Sequence, residues 1–303
     1  MILPHSKVLI TGADGMLGRA FQAVLAREYP TTMVRACTRE QLDVTDINAV
    51  LAHRSQGCNL IIHCAADVNA DRCEEFSDRC HQVQVRGTLN ILELAVETGA
   101  KVFYPQSFLI FSGGDDLIDE STVPAPQSVY GRCKLEAERR ILASQVESLV
   151  VRMAGFFGGE EMDKNFVGKF TRHLVTLLRA RIGSYAVGDR VWQPTYTVDL
   201  ARNSLLLLDR GQTGVWSMAC EGEASFREVA SECVRVLGLE QRIAIVPAAA
   251  NAIAAADIAV RPCRAVLSNA RLESAGLCLQ RHWRDALAEY LDRPWFHSLF
   301  RNL

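Results

Sequence analysis

Two short runs hold residue types that can carry out redox chemistry. Tyr130-Gly131-Arg132-Cys133-Lys134 sets a phenol and an ammonium at i and i+4, and on a helix that spacing puts both side chains on one face. A phenol titrates near pH ~10, too high for proton exchange at neutrality, and a neighbouring ammonium favours the phenolate. Tyr130 is thus the candidate proton donor to a carbonyl oxygen, Lys134 its electrostatic partner, and Ser107 a third group able to hydrogen-bond the same oxygen.

The second run, Thr11-Gly12-Ala13-Asp14-Gly15-Met16-Leu17-Gly18, follows an apolar strand and opens a helix. In that context glycines allow a tight turn and close backbone approach to a pyrophosphate, and the free N–H groups of the helix end attract its charge. The expected cradle is Gly12, Asp14, Gly15, Met16, Leu17 and Gly18. After the second strand the chain reads Cys37-Thr38-Arg39, with no acid at the tip. A carboxylate there would hold the 2′-hydroxyl of NAD, whereas an arginine pairs with the 2′-phosphate of NADP. Thr38 and Arg39 therefore favour NADP(H) over NAD(H). Asp43 and Val44 are expected beside the adenine, and the small run Cys64-Ala65-Ala66 beneath the nicotinamide ribose.

These residues need a scaffold, and the apolar patterning supplies one. Lys7 to Thr11, Met33 to Cys37, Leu60 to His63, Lys101 to Tyr104 and Leu149 to Met153 lack polar alternation, as strands buried on both faces do. Between them lie helical stretches over Met16 to Arg27, Asp46 to His53, Cys80 to Thr98 and Ser128 to Ser144. The fold class is α/β, a doubly wound parallel sheet of Rossmann type. Residues 1–160 are expected to form the dinucleotide-binding domain, with 190–220 packing back on it. Residues 161–303 are expected to form mainly a smaller, partly interleaved substrate domain. Its helices are expected over Phe166 to Arg181, Val198 to Asp209, Phe226 to Leu237 and, terminally, Trp283 to Leu291. A strand is expected around Ile243 to Val246, followed by the alanine-rich Ala248 to Ala256.

The chain's 303 residues are 49% hydrophobic and 22% charged, with a net charge of −2. That balance gives no basis for a nucleic-acid or membrane partner. No apolar run is long enough to span a bilayer and the first residues lack a signal-peptide pattern, so the expected location is cytoplasmic. Ten unpaired-looking cysteines fit a reducing compartment. Cys73, Cys80 and His81 lack a second ligand pair, so no metal is expected. His63 reads as a packed, hydrogen-bonded residue, and Trp192, Trp216, Trp283 and Trp295 as core or interface anchors.

The assembled motifs resemble those of extended short-chain dehydrogenases, most closely the dTDP-4-dehydrorhamnose reductase-like family. The resemblance spans nearly the whole chain and rests on the glycine run, Gln41-Leu42-Asp43-Val44-Thr45-Asp46, and the stretch from Val129 to Glu138. It continues in Gln193-Pro194-Thr195-Tyr196-Thr197-Val198-Asp199-Leu200-Ala201 and Val260-Arg261-Pro262. It implies NADPH-dependent reduction of the 4-keto group of a nucleotide-linked deoxysugar, with the second domain gripping the nucleotide. Where the family carries serine, threonine, aspartate and tyrosine, this chain has Gln106-Ser107-Phe108-Leu109. Ser107 can serve for the threonine, but Phe108 has no carboxylate. The family's sugar-pocket tryptophan falls at Gly155 and a common asparagine at Gln84. The substrate positions singled out are Ser107, Phe108 and Gly155. Two other readings stay open: a cofactor-binding regulatory subunit similar to the methionine adenosyltransferase beta subunit, and a nucleotide-sugar epimerase or dehydratase. A homodimer stays open as well.

Overall fold

The structure, a computed structural model, describes residues 5–114, 116–248 and 258–301. Its centre is a six-stranded parallel sheet of β1 (Lys7–Thr11), β2 (Met33–Cys37), β3 (Leu60–His63), β4 (Lys101–Ser107), β5 (Ser148–Met153) and β10 (Gly214–Met218). The strand order is β10-β5-β4-β3-β1-β2. The order reverses between β1 and β3, the kind of switch point outside whose strand ends doubly wound sheets bind ligands. β3 and β5 are buried along their full length, as a sheet covered on both faces requires. On one face α1 (Met16–Glu28) packs against α8 (Thr197–Asp209), closing a core that includes Phe21, Leu25, Leu200 and Trp216. On the other, α2 (Ile47–Leu51), α5 (Gly87–Thr98) and α6 (Val129–Ala143) cover Leu9, Ile61, Val102 and Val150.

Beyond the sheet, α7 (Phe166–Arg179), α9 (Phe226–Val236) and α11 (Trp283–Leu291) enclose a second core around Phe157, Tyr196, Trp283 and Tyr290. Short ladders pair β6 (Phe156–Phe157) with β9 (Thr195–Tyr196), β8 (Val191–Trp192) with β11 (Ala224–Ser225), and β7 (Ser184–Val187) with β12 (Ala244–Pro247).

Several boundaries differ from the sequence expectation, among them α2, which ends at Leu51, and α7, which ends at Arg179. β4 continues past Tyr104 to Ser107, through Pro105. β3 is in register with β4 only as far as Phe103, so Pro105 lies where the ladder continues on the β5 side alone, a place that tolerates its missing N–H. The helix expected over Cys80 to Thr98 starts earlier, as α4 (Ser77–His81) after α3 (Ala70–Glu75), and passes through a π turn over Gln82–Arg86 before α5. The late strand starts at Ala244 rather than Ile243. Trp283 to Leu291 is not the last helix: Pro294 at the first position starts α12 (Pro294–Phe300), and α10 (Ala270–Ser274) precedes both. Nearly all of the stretch from Ala248 to Ala256 lies outside the described residues. Among the described residues no helix is long and apolar enough to cross a membrane.

Candidate active site

At the end of β1 the chain turns through Gly12, whose φ of +62° is left-handed backbone that a side chain resists. A Cβ there would also lie 2.7 Å from the Ala65 nitrogen, so Gly12 lets the loop after β1 rest directly on Cys64 and Ala65. Gly18 extends the close fit: a Cβ on it would come within 2.5 Å of the Gly12 carbonyl oxygen. Gly15 is the N-cap of α1 and no side chain caps that helix, which leaves its first N–H groups available to an anion. Leu17 is buried in the core, so only its backbone can face a ligand. Met16 borders Gly159, and Asp14 is exposed, its carbonyl accepting from Arg19 Nε at 3.0 Å.

A buried hydrogen-bond chain fixes this loop. The Ala65 N–H donates to Thr11 Oγ1 at 3.2 Å, and Thr11 Oγ1 meets His63 Nδ1 at 2.9 Å. His63 Nε2 lies 3.2 Å from Thr88 Oγ1, which donates onward to the Gln84 carbonyl at 2.6 Å. Thr88 spends its proton on Gln84, so His63 carries its own on Nε2 and accepts from Thr11 at Nδ1. Burial, with the Lys134 charge second, brings the imidazole down to about 3, so it stays neutral at ordinary pH. The chain ends in the π turn, where Gln84 Nε2 also donates to the Asp67 carbonyl at 2.9 Å.

Arg39 and Asp43 come together at 3.6 Å after β2, both with substantial exposure. The Thr45 backbone and hydroxyl, more than Arg39, hold the Asp43 carboxyl below the usual range. The Thr38 N–H donates to Gln41 Oε1 at 2.9 Å. Val44 is buried under Gly87, and its carbonyl accepts from Asn90 Nδ2 at 2.8 Å.

Tyr130 and Lys134 stand on α6, which begins at Ser128, whose hydroxyl accepts from the Gly131 N–H at 3.1 Å. Gly131 lets α6 approach the turn after β4: a Cβ on it would collide with the Leu109 carbonyl. That approach sets the Tyr130 phenol beside Ser107. Burial pushes the phenol up, and the Ser107 contact partly offsets it. Ser107 Oγ accepts from the Leu109 N–H at 3.1 Å, which leaves its own proton to donate. Lys134 Nζ donates to the Pro105 carbonyl at 2.7 Å and lies 3.8 Å from the centre of the Tyr104 ring. Burial lowers its pKa to about 7, with Cys64 and Glu138 opposing.

Several residues of this site carry no local sequence signal. Gln106 Nε2 donates to the Lys134 carbonyl at 3.0 Å and to Glu138 Oε2 at 2.9 Å, while its Oε1 accepts from the Ser107 N–H at 2.8 Å. Arg152 on β5 holds Glu138 at 2.6 Å, both side chains buried. Gln106 therefore ties the strand carrying Ser107 to the helix carrying Lys134. Farther along, Asp71 on α3 accepts from Arg261 at 2.8 and 2.9 Å and from the Ile258 and Ala259 N–H groups at 3.1 and 2.9 Å. The Arg261 guanidinium beside Asp71 holds that carboxyl below its usual range. The late arginine–proline thus pins residues 258–261 to α3.

Cys73 and Cys80 pack with the Cys133 thiol in an apolar cluster beside Tyr130, and His81 points to Glu136 at 3.6 Å. Among the described residues no group of side chains is arranged to hold a metal ion. All ten cysteines are free. Trp216 lies in the sheet core and Trp283 in the second core, in keeping with anchoring roles.

Against known proteins, residues 6–295 match the family model described as the RmlD substrate binding domain. A dTDP-4-dehydrorhamnose reductase of Mycolicibacterium smegmatis is 31% identical over 301 residues, covering 93% of this chain and 84% of that protein. The crystal structure of a dTDP-4-dehydrorhamnose reductase from Clostridium acetobutylicum superposes with a TM-score of 0.84 at 31% identity, covering 94% of this chain and 98% of that one. The methionine adenosyltransferase 2 subunit beta of Pongo abelii is 27% identical over 320 residues, covering 98% of this chain and 92% of that protein.

Proposed function

The chain belongs to the RmlD substrate-binding-domain family, and from that premise we propose that it reduces the 4-keto group of a dTDP-linked deoxysugar with NADPH. The observation that carries the reading is the convergence of Ser107 at the end of β4 with Tyr130 and Lys134 on α6, where Gly131 lets the helix close on the Leu109 carbonyl and Lys134 Nζ donates to the Pro105 carbonyl at 2.7 Å.

The residues fit a dinucleotide. Gly12 lets the loop after β1 lie directly on the Ala65 backbone, where a Cβ would collide, and α1 presents an uncapped N-terminus. Gly12, Asp14, Gly15, Met16, Leu17 and Gly18 would hold the pyrophosphate, Thr38 and Arg39 the 2′-phosphate, Asp43 and Val44 the adenine, and Cys64, Ala65 and Ala66 the nicotinamide ribose. The nicotinamide, when bound, supplies the hydride. Tyr130 donates the proton to the sugar O4: its phenol is buried and held protonated well above neutrality. The free proton of Ser107 hydrogen-bonds the same oxygen and orients the carbonyl. Lys134 contributes positive charge, which stabilises the phenolate left behind.

Purified protein assayed with NADPH against a panel of dTDP-4-keto sugars tests this. Turnover is expected, and Tyr130→Phe should lower kcat by about 10²–10⁴-fold, the usual worth of general acid–base catalysis. Wild-type protein that oxidises no NADPH across the panel overturns the reading. If that inactive protein also co-purifies with an unrelated enzyme, the regulatory-subunit reading takes its place; Phe108, which cannot act as the family's carboxylate does, is the observation that keeps it in play.

A further inference from the structure

We propose that Asp163 and Tyr290, both fully buried, are positioning residues for the dinucleotide: they knot the loop from Gly158 to Met162 and hold it against Met16 at the start of α1, where it walls the cofactor site. The inference rests on the proposed cofactor binding and extends it to residues that do not touch the cofactor.

Leaving β5, the chain passes Gly155, where Trp192 takes the space of a Cβ with Phe108 beside it, and pairs briefly as β6. It then turns through Gly158, Gly159 and Glu160 at φ of +139°, +87° and +54°. Three successive residues at positive φ, the last not a glycine, persist only where their surroundings hold them. Gly159 rests on α1: a Cβ on it would lie 3.4 Å from Met16 Cγ and 3.7 Å from Met16 Cα. The segment after β5 thereby reaches the one after β1, although β4 and β3 separate the two strands. It does so at the first turn of the helix whose uncapped N–H groups are the expected anchor of the pyrophosphate.

A buried carboxylate holds the turn. Asp163 Oδ2 accepts from the Gly158 N–H at 3.1 Å and from the Tyr290 hydroxyl at 3.2 Å, and Oδ1 accepts from the Asn165 N–H at 2.9 Å. Tyr290 Oη in turn accepts from the Glu160 N–H at 2.9 Å. Both ends of the positive-φ turn are therefore tied to one aspartate–tyrosine pair. Arg293, just past α11, adds an ion pair to Glu160 at 2.8 Å. Gly168 on α7 leaves room for the carboxyl, since a Cβ there would lie 2.6 Å from Asp163 Cγ. Arg172 bonds the Asp163 carbonyl at 2.5 Å and not the carboxylate. Burial lifts the carboxyl to about 6, against the pull of the donors around it. A charge kept out of water is costly, and the donors this one collects, Tyr290 apart, belong to residues 158–165, the stretch that touches α1.

Fluorescence titration of the purified protein with NADPH, run well below the melting temperature, tests this. Tyr290→Phe keeps the packed ring and removes only the hydroxyl. It should weaken NADPH binding about fivefold and Asp163→Asn about tenfold, in keeping with the loss of a hydrogen bond to a charged group. Because both residues act through one loop, the double substitution should be no more than about twofold worse than Asp163→Asn alone. In steady-state assays each substitution should raise KM for NADPH by a larger factor than it lowers kcat. If Asp163→Asn does not fold, Tyr290→Phe carries the test by itself. Substituted proteins that melt lower yet bind NADPH like wild type assign the knot to the fold alone and overturn the inference, as do single losses that multiply in the double substitution. Either result leaves the reductase reading intact. Wild-type protein that binds no NADPH removes the cofactor reading beneath it.

Discussion

At the carboxyl end of β1 the contacts are made by backbone. Gly12 lies on Ala65, Gly18 faces the Gly12 carbonyl, and the start of α1 is left uncapped. At the ends of β4 and β5 side chains take over: Ser107 and Tyr130 meet across a turn, Gln106 bridges strand and helix, and Trp192 fills the space above Gly155. A backbone site has few solutions, because each atom that approaches closely forbids a Cβ. A side-chain site can be rebuilt by exchanging which residue supplies the bulk. The contrast accounts for a chain that keeps its glycine run while Phe108 and Gly155, the positions proposed to face the sugar, depart from the pattern it otherwise resembles.

Gly12→Ala would put a methyl at positive φ and 2.7 Å from the Ala65 nitrogen, so NADPH affinity in a fluorescence titration should fall by about 100-fold, in line with strain of a few kcal/mol. A variant that binds like wild type would show that the cradle is not backbone-limited. Next comes Lys134, whose ammonium is present below about pH 7 and lost above it, rather than near 10.5 as for a solvated lysine. If that charge assists Tyr130, kcat/KM for reduction should fall about tenfold per pH unit above 7. Lys134→Arg, which keeps its charge across the range, should be slower but flat with pH. A falling limb that persists in the arginine variant would assign the titration to another group. The smallest effect is expected at Arg39, exposed and already near Asp43. Arg39→Ala should raise KM for NADPH about three- to tenfold, the worth of an exposed charge-assisted contact, and leave KM for NADH unchanged. Equal effects on both cofactors would remove Arg39 from 2′-phosphate recognition.

The same contrast governs what was legible beforehand. β1, β3, β4 and the middle of β5 announce themselves through short apolar runs, and the β1 turn through glycine spacing, because both signals are local; β2, expected to be buried on both faces, is instead a sheet edge exposed from Met33 to Arg35. Tyr130 and Lys134 are legible for the same reason, being one helical turn apart. The extension of β4 through Pro105 was not, since it depends on where β3 stops pairing. Gln106 gave no sign of its role: its partners Lys134 and Glu138 come from another element. Trp192 is an anchor braced by two phenylalanines, as the sequence leads one to expect, but nothing near it in the chain points to Gly155. The only hint was at the other end, a glycine where a large side chain was expected.

The sixth strand has a consequence for how this chain is made. β10 pairs with β5 along Leu149 to Met153, yet the chain reaches it only after α7 and α8 have been laid down. A polypeptide emerging from the ribosome would therefore display β5, which is buried from end to end in the finished fold and carries the apolar run Leu149–Val151, as a bare sheet edge until Gly214–Met218 arrives. Such an edge is a template for pairing with other chains. A fragment ending after β5 would be prone to aggregate, and the stretch most in need of protection during synthesis is the one that ends two residues before Gly155.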